Sequence, residues 1–240
     1  MAPIHIKARE DNVASRVIVV GDPARATLIA EELLDESLLV NDNRGLLVYT
    51  GKWKGKPVTI ATHGMGGPSA AIVLEELYML GSRVFVRLGT AGSLKQNVDI
   101  GDVIVAGSAS SPCGGAGLSG YAGGRSSCLP NGSNPLLASR IYEELSKAGL
   151  NPILGAVVSS DSFYAEDREF IDYWASRGAV AVEMECATLF ALSWIRDFMS
   201  ACVLIVSNIV GGDKHLSTSE LRDRILDVAR VVMDVLVGMD

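Results

Sequence analysis

The chain has 240 residues, of which 48% are hydrophobic and 20% are charged, and its formal net charge is −7. This composition predicts a globular protein with a well-buried core, and the length fits one large α/β domain spanning residues 1–240. The negative net charge argues against a nucleic-acid partner, because proteins that bind nucleic acids carry a basic surface. It does not exclude a small anionic ligand, since a local cluster of arginines can override the global sign.

Targeting signals are lacking in the sequence. The N-terminal stretch "MAPIHIKAREDN" has no apolar run of the kind found in signal peptides, and no later apolar stretch reaches the length of a membrane span. We therefore expect a cytoplasmic protein with no membrane partner.

The four cysteines show no C-x-x-C spacing, so a zinc or redox motif is not expected. Cys186 and Cys202 lie in apolar segments and are predicted to be core residues. Cys113 and Cys128 lie in the Gly- and Ser-rich segment 108–133, which is predicted to be a long surface loop. Their state, free or disulfide-bonded, is left open by the sequence.

Strand and helix patterns alternate along the chain. Short runs rich in Val, Ile and Leu predict strands at 16–20, 46–51, 57–63, 84–89, 102–107, 155–160, 178–185 and 202–208. Helical spacing of apolar residues predicts helices at 23–34, 68–80, 134–149, 186–198 and 217–236. The order predicts an α/β fold with a twisted mixed β-sheet flanked by helices.

The first motif with a possible role in ligand binding is "VIVVGDPARA" at 17–26, where a strand ends in glycine and a helix follows. Gly21 leaves backbone N–H groups exposed, and the helix N-terminus adds positive potential. Arg25 falls in the first helical turn, where its charge opposes the helix dipole unless an anion lies between them. The pattern is equally compatible with an ordinary β–α turn.

The second motif is "FVRLGTAGSL" at 85–94, in which Arg87 interrupts a buried strand. A buried charge needs a partner, which can be an anionic ligand or a structural salt bridge. Thr90 adds a hydroxyl group, and the glycines on either side of it let a ligand approach the backbone. Arg44, just before another predicted strand, is by itself more typical of a solvated residue.

The third motif is "AVEMECATL" at 181–189, with two acids in apolar surroundings. If 178–185 is a strand, Glu183 and Glu185 point to one face and Met184 to the other. Two groups that only accept hydrogen bonds suit a vicinal diol such as the ribose hydroxyls. The alternative is a carboxylate pair held by arginines such as Arg87.

Taken together, these stretches resemble the superfamily of hexameric-type purine nucleoside phosphorylases, methylthioadenosine phosphorylases and uridine phosphorylases, most closely its archaeal purine nucleoside branch. The resemblance is carried, in order, by "PIHIKA", "VGDPARA", "NRGLLVYTGKWKGKPV", "THGMGGPS", "RLGTAGSL", "SSDSFYAED", "AVEMECATLF" and "VSN". It implies a three-layer α/β sandwich and the phosphorolysis of nucleosides to free base and ribose 1-phosphate. Inorganic phosphate is the co-substrate, and neither a metal nor an organic cofactor is expected.

The resemblance also implies roles for individual residues. Phosphate is expected at Gly21, Arg25, Arg44, Arg87 and Thr90. Ribose is expected at His5, Met65, Met184 and Glu185. The base is expected at Ala91, Gly92, Phe163, Val182, Glu183 and Asn208. The catalytic residues are expected to be Asn208, Glu185 and Arg87. His5 and Arg44 are expected to complete the site of a neighbouring subunit in a homo-oligomer, commonly a hexamer built from dimers.

Asn208 departs from the family pattern, because many relatives that accept 6-aminopurines carry aspartate there. The amide NH₂ of Asn208 has two donors, which suit the N7 and O6 acceptors of hypoxanthine and guanine. We therefore expect a preference for inosine and guanosine. Asp213 could instead supply an acid, and Arg222 resembles a helix arginine that engages this acid in some relatives.

Two other enzyme classes are rivals to this interpretation. Uridine phosphorylases read uracil with a Gln/Arg pair beyond the "SSD-FY" motif, where this chain has Arg168 but no glutamine. A hydrolytic nucleosidase would use water and has no need for the arginines at 25, 44 and 87.

Overall fold

The computed structural model describes residues 2–112, 115–123 and 129–239. Strands β1 to β9 are Arg16–Val20, Asp35–Asn41, Val48–Trp53, Lys56–Thr62, Val84–Ser93, Val103–Ser110, Ile153–Ser159, Ala179–Glu183 and Met199–Ile209. Helices α1 to α6 are Pro23–Leu33, Gly67–Met79, Pro135–Lys147, Arg168–Ser176, Cys186–Arg196 and Thr218–Val237. Within the described ranges, no helix combines the length and apolar character needed to cross a bilayer.

In the described part of the chain, the nine strands belong to one mixed sheet, in the order β2-β3-β4-β1-β5-β8-β7-β6-β9. Strand β1 runs parallel to both of its neighbours, β4 and β5. Strand β9 pairs with β6 and also returns to pair along the whole of β5. The strands from β5 to β9 therefore close into a ring, and the predicted mixed sheet flanked by helices is confirmed.

The alternation of side chains along β1 explains the layers on its two sides. Val17 and Val19 belong to a buried cluster shared with α2 and α5, whereas Ile18 and Val20 belong to a second cluster shared with α1, α3 and α6. Successive strand residues point to opposite faces, so a strand that is apolar at every position is covered on both sides. Packing on both faces holds β1 in place, and the functional site lies at the carboxyl end of this strand.

Two elements were not predicted from the sequence, namely β2 and α4. Strand β2 lies at the sheet edge and most of its residues are exposed, so it lacks the apolar run that marks an internal strand. Helix α4 begins where the Asp167 side chain accepts a hydrogen bond from the Phe170 N–H at 2.9 Å. Its apolar residues pack on a small cluster that includes Val158 and Val182.

The segment 108–133 differs from the predicted surface loop. Ala116 and Leu118 are buried, and the Ala116 carbonyl accepts a hydrogen bond from the Thr188 hydroxyl. Cys113 and Cys128 lie outside the described residues. Cys186 and Cys202 are free and fully buried, as predicted.

Glycine is required at residue 67, at the start of α2, because the backbone of Ala116 packs directly against it. A Cβ atom at residue 67 would lie 2.0 Å from the Ala116 carbonyl oxygen, whereas a Cβ atom at Gly120 would have nothing within 4 Å. We expect Gly67→Ala to lower the free energy of unfolding by about 1–3 kcal/mol, because overpacking forces the backbone apart. Urea unfolding measures the effect with Gly120→Ala as the control, and equal stability of the two variants would contradict the packing described.

Candidate active site

A cavity of about 520 Å³ opens at the carboxyl ends of β1, β5, β8 and β9. Ligands of open α/β sheets bind at this edge. The walls include every site residue expected from the sequence except His5 and Arg44: Gly21, Arg25, Met65, Arg87, Thr90, Ala91, Gly92, Phe163, Val182, Glu183, Met184, Glu185 and Asn208. The expected residues that line the cavity are thus brought together from motifs far apart in the sequence.

Five further lining residues were not singled out: Asp22, Pro23, Gly64, Glu166 and Ser207. All five lie inside the motifs "VGDPARA", "THGMGGPS", "SSDSFYAED" and "VSN", but no role was expected for them. Glu166 is a single acid in a polar stretch after the aromatic pair Phe163 and Tyr164, so it gave no signal of its own.

Arg87 is the charged centre of the site and is almost fully buried on β5. Its Nη2 atom is paired with the Glu185 carboxylate, and its Nη1 atom lies 3.4 Å from Glu183 Oε2. Burial alone would lower the pKa of Arg87, but the carboxylates of Glu185 and Glu183 raise it well above its usual value. Arg87 therefore stays protonated in the interior.

The two acids do not lie on one strand face, contrary to the prediction for 178–185. Strand β8 ends at Glu183, and Glu185 is the residue that precedes α5. The Glu183 carboxylate accepts hydrogen bonds from the backbone N–H groups of Glu185 at 2.7 Å and Cys186 at 2.9 Å. The helix N-terminus thus captures Glu183, and the chain turns sharply enough for both acids to reach Arg87.

Glu185 is held from two directions. Its Oε1 atom accepts the Gly66 N–H at 2.6 Å, and its Oε2 atom is paired with Arg87. Burial would raise the pKa of Glu185, but the charge of Arg87 outweighs it and the pKa lies below its usual value. Glu185 is therefore an ionised acceptor at the cavity wall.

Arg25 lies close to Arg87 but is less well compensated. Its Nη1 atom donates to the Leu88 carbonyl at 3.2 Å, and the Asp22 carboxylate is engaged by the Ala24 N–H at 2.9 Å. Burial, together with the charge of Arg87, lowers the pKa of Arg25 to about 10. An anion between the two guanidinium groups would relieve their repulsion.

Several buried polar atoms near the two arginines have no hydrogen-bond partner in the described part of the chain. They include Nε of Arg25, Nε of Arg87 and both ring nitrogens of His63. Burial, with the charge of Arg87, lowers the pKa of His63 to about 4, so the ring is neutral at neutral pH. The guanidinium groups of Arg25 and Arg87 both line the cavity, and two neighbouring cations there suit a small oxyanion such as phosphate.

Part of the cavity wall is apolar. Ala91, Gly92, Val182 and Phe163 line it, and Asn208 lies among them. The Asn208 Oδ1 atom accepts a hydrogen bond from the Ser207 hydroxyl at 3.0 Å, which leaves the amide NH₂ as the group available to a ligand. A planar ring with acceptor atoms on one edge would complement this wall.

His5 and Arg44 do not line the cavity of their own chain. His5 is half-buried, and its Nδ1 atom lies 2.7 Å from Glu76 Oε1, which holds the N-terminal segment on α2. Arg44 is exposed, with a positive φ of 60°. Asp213 is also exposed and outside the cavity wall, and Arg222 is paired with Glu32 at 2.5 Å.

The comparisons with known proteins agree with this geometry. The family model described as the phosphorylase superfamily matches residues 15–238. The chain belongs to this superfamily. The match confirms the resemblance inferred from the motifs and, with it, the prediction of a pentosyltransferase enzyme. The narrower placement in an archaeal branch stays a prediction.

Three similar proteins illustrate the range of the superfamily. A DeoD-type purine nucleoside phosphorylase of Caldanaerobacter subterraneus subsp. tengcongensis is 33% identical over 233 residues, covering 97% of this chain and 99% of the relative. Another, from Exiguobacterium sp., is 35% identical over 235 residues and covers 98% of each. The solved structure of a uridine phosphorylase from Vibrio fischeri is 28% identical with a TM-score of 0.87, covering 99% of this chain and 98% of that one.

Within residues 2–112, 115–123 and 129–239, no group of three or more His, Cys, Asp or Glu side chains could hold a metal ion. The cations at the cavity are the guanidinium groups of Arg25 and Arg87.

Gly89 controls the position of Arg87. A Cβ atom at residue 89 would lie 2.1 Å from Arg87 Nη1. We expect Gly89→Ala to push the guanidinium group aside and weaken orthophosphate binding at least about tenfold, since a charged hydrogen bond is lost. Isothermal calorimetry measures the affinity, and Gly132→Ala, where the added Cβ atom meets only ordinary contacts, is the control. Unchanged affinity in Gly89→Ala would rule out a phosphate site at Arg87.

Proposed function

We propose that the chain is a purine nucleoside phosphorylase that cleaves purine (deoxy)ribonucleosides with inorganic phosphate. The products are the free base and (deoxy)ribose 1-phosphate, with inosine and guanosine as preferred substrates. The observation that carries the proposal is the row formed by Arg25, Arg87 and Glu185 in the wall of a cavity that is also lined by apolar residues and Asn208. The row offers, in order, an anion site, a hydroxyl-binding carboxylate and a base pocket.

The same residues suggest how the reaction proceeds. The bond between ribose C1′ and base N9 breaks as a phosphate oxygen bonds to C1′, through a transition state with oxocarbenium character. Arg25 and Arg87, with Gly21 and Thr90, orient the phosphate next to the developing positive charge, which supplies proximity and electrostatic stabilisation. Glu185 accepts hydrogen bonds from the ribose hydroxyls, and Met65 and Met184 pack against the sugar.

Asn208 acts on the leaving base. The electron pair of the broken bond moves into the purine ring, and the negative charge reaches N7 and O6. The Asn208 NH₂ group donates to these atoms, and Ala91, Gly92, Phe163 and Val182 enclose the ring. Glu183 is an indirect support, since its carboxylate is engaged by the start of α5 and by Arg87.

Uridine phosphorylase is the second candidate, favoured by the structural similarity to the Vibrio fischeri enzyme. Arg168 would have to read the uracil, but it is exposed, is paired with Asp172 at 3.0 Å and lies outside the cavity wall. This placement supports the purine interpretation, and methylthioadenosine is the remaining alternative.

We also propose that the working form is a homo-oligomer, a hexamer built from dimers, in which His5 and Arg44 complete the site of the neighbouring subunit. Both side chains lie outside the cavity of their own chain. Met65, Phe163 and Tyr164 are strongly exposed at or beside the cavity mouth. Exposed apolar groups of this kind commonly mark a protein interface.

The substrate proposal is tested by measuring the base released from inosine, guanosine, adenosine, methylthioadenosine and uridine, with and without phosphate. We expect release to require phosphate and inosine or guanosine to react fastest. Release without phosphate would indicate a hydrolase. Adenosine or methylthioadenosine reacting faster than inosine would contradict the role of Asn208, and uridine as the best substrate would contradict the purine interpretation.

The shared site is tested by mixing two inactive variants, Arg25→Ala and Arg44→Ala, by co-expression. In a mixed dimer, one of the two sites has both arginines intact, so random mixing should restore about one quarter of wild-type activity. The separately expressed variants are the controls. Activity of the mixture no higher than the mean of the two variants would show that Arg44 serves its own chain or none.

A further inference from the structure

Glu76 is a buried acid on α2 whose carboxylate accepts hydrogen bonds from three consecutive residues near the N-terminus. Its Oε1 atom accepts the Ile4 N–H at 3.0 Å, and its Oε2 atom accepts the N–H groups of His5 at 2.9 Å and Ile6 at 2.6 Å. Burial would raise the pKa of Glu76, but the hydrogen bonds from this segment bring it below its usual value. Glu76 is therefore an ionised group that only accepts hydrogen bonds.

The same carboxylate also holds the imidazole ring of His5. The ring Nδ1 atom lies 2.7 Å from Glu76 Oε1. Because an ionised carboxylate has no hydrogen to donate, Nδ1 must carry the hydrogen of this contact. Among the described residues, the other ring nitrogen, Nε2, has no hydrogen-bond partner, and the side chain keeps 25% of its surface exposed. Glu76 thus fixes both the backbone of the segment and the orientation of the ring.

The N-terminal segment is joined to the turn that carries Arg44. The Asn43 side-chain NH₂ group donates to the His5 carbonyl at 2.8 Å, and Asn43 and Arg44 are neighbours in the 3-10 turn Asn43–Gly45. The two residues proposed to serve a neighbouring subunit are therefore held together on their own chain. Glu76 supports this unit from the buried side.

We propose that Glu76 is a positioning residue that fixes the His5 ring for the neighbouring subunit, with the hydrogen on Nδ1 and with Nε2 free for the sugar of the nucleoside. This inference rests on the proposed function, since it takes His5 as a ligand of the neighbour's sugar. It adds the group that holds the ring and the ring nitrogen that acts. Glu76 lies outside the wall of the cavity and acts through His5.

The arrangement has a chemical and an entropic consequence. In a neutral ring with its hydrogen on Nδ1, Nε2 is an acceptor, so a sugar hydroxyl can donate to it as others donate to Glu185. A segment that is ordered before the ligand arrives loses less conformational freedom on binding. The carboxylate of Glu76 therefore stabilises the bound state through a ring that is already in place.

Glutamine at residue 76 would keep the shape of the side chain but not its hydrogen bonds. The three backbone N–H groups and the ring Nδ1–H are all donors, and the glutamine NH₂ group would face at least one of them. Either a backbone contact is lost, or the ring carries its hydrogen on Nε2 and no longer offers an acceptor. Both outcomes remove the arrangement that we propose.

The test is a double-mutant cycle of Glu76→Gln and His5→Ala in the full chain, measured as the affinity for inosine without phosphate. We expect each single variant to bind inosine about tenfold more weakly, because each loses the hydrogen bond at Nε2. The double variant should bind as weakly as His5→Ala, since Glu76 then has no ring to position. Glu75→Gln is the matched control on α2, because Glu75 pairs with Arg196 at 2.9 Å, and its affinity should not change.

Circular dichroism confirms that the variants are folded. Losses that add in the double variant would show that Glu76 supports the fold independently of His5 and would overturn the inference, as would unchanged affinity in either single variant. The ¹⁵N chemical shifts of the His5 ring provide a second measurement, and a neutral wild-type ring with its hydrogen on Nε2 would also overturn it. These results stand even if no phosphate-dependent base release is found, and that separate failure would overturn the proposed function.

Discussion

The structure of the site depends on a positive charge buried inside a β-sheet. Arg87 lies on β5 between β1 and β9, opposite Cys202 in the register of β9. An uncompensated guanidinium group would be strongly destabilising in this position. The compensation comes from Glu183 and Glu185, and the guanidinium group also contacts the sulfur atoms of Cys186 and Cys202 at 4.0 and 3.7 Å. Gly89 leaves the space that the guanidinium group occupies.

Glu183 and Glu185 make different contacts because the chain changes from strand to helix between them. Glu183 belongs to the end of β8 and turns its carboxylate to the free N–H groups at the start of α5, where negative charge is favourable. Glu185 is placed on the other side of the turn, where the Gly66 N–H and Arg87 fix it at the cavity wall. Glu183 therefore stabilises the turn between β8 and α5, and Glu185 lies at the cavity wall, where a hydroxyl group of a ligand can reach it.

The layered sheet could be predicted from local patterns, because an apolar run such as 17–20 in β1 marks a strand buried on both sides. Most of the cavity wall was expected through the family resemblance of the quoted motifs, and the glycine-rich strand end 89–92 marks the edge where ligands bind. The end of β8 was predicted wrongly, since the spacing of Glu183 and Glu185 fits a strand and the capture of Glu183 by a helix start is a tertiary event. Helix α4 was missed although Phe170, Ile171, Trp174 and Ala175 recur at helical spacing, because the helix has only nine residues and polar residues lie on either side of this run. Glu166 was missed because a single acid carries no pattern.

Arg87 is buried and Arg25 is half-buried, and the two arginines differ in how their charges are compensated. Arg87 has two carboxylates of its own chain, so its position is set before any ligand arrives. Arg25 has no ion pair among the described residues, and the attraction of Asp22 is outweighed by burial and by Arg87. An oxyanion is thus drawn to the side of the row at which Arg25 lies. Because Glu185 repels anions, the proposed phosphate end and the proposed sugar end of the cavity would differ in charge before any contact with the base is made.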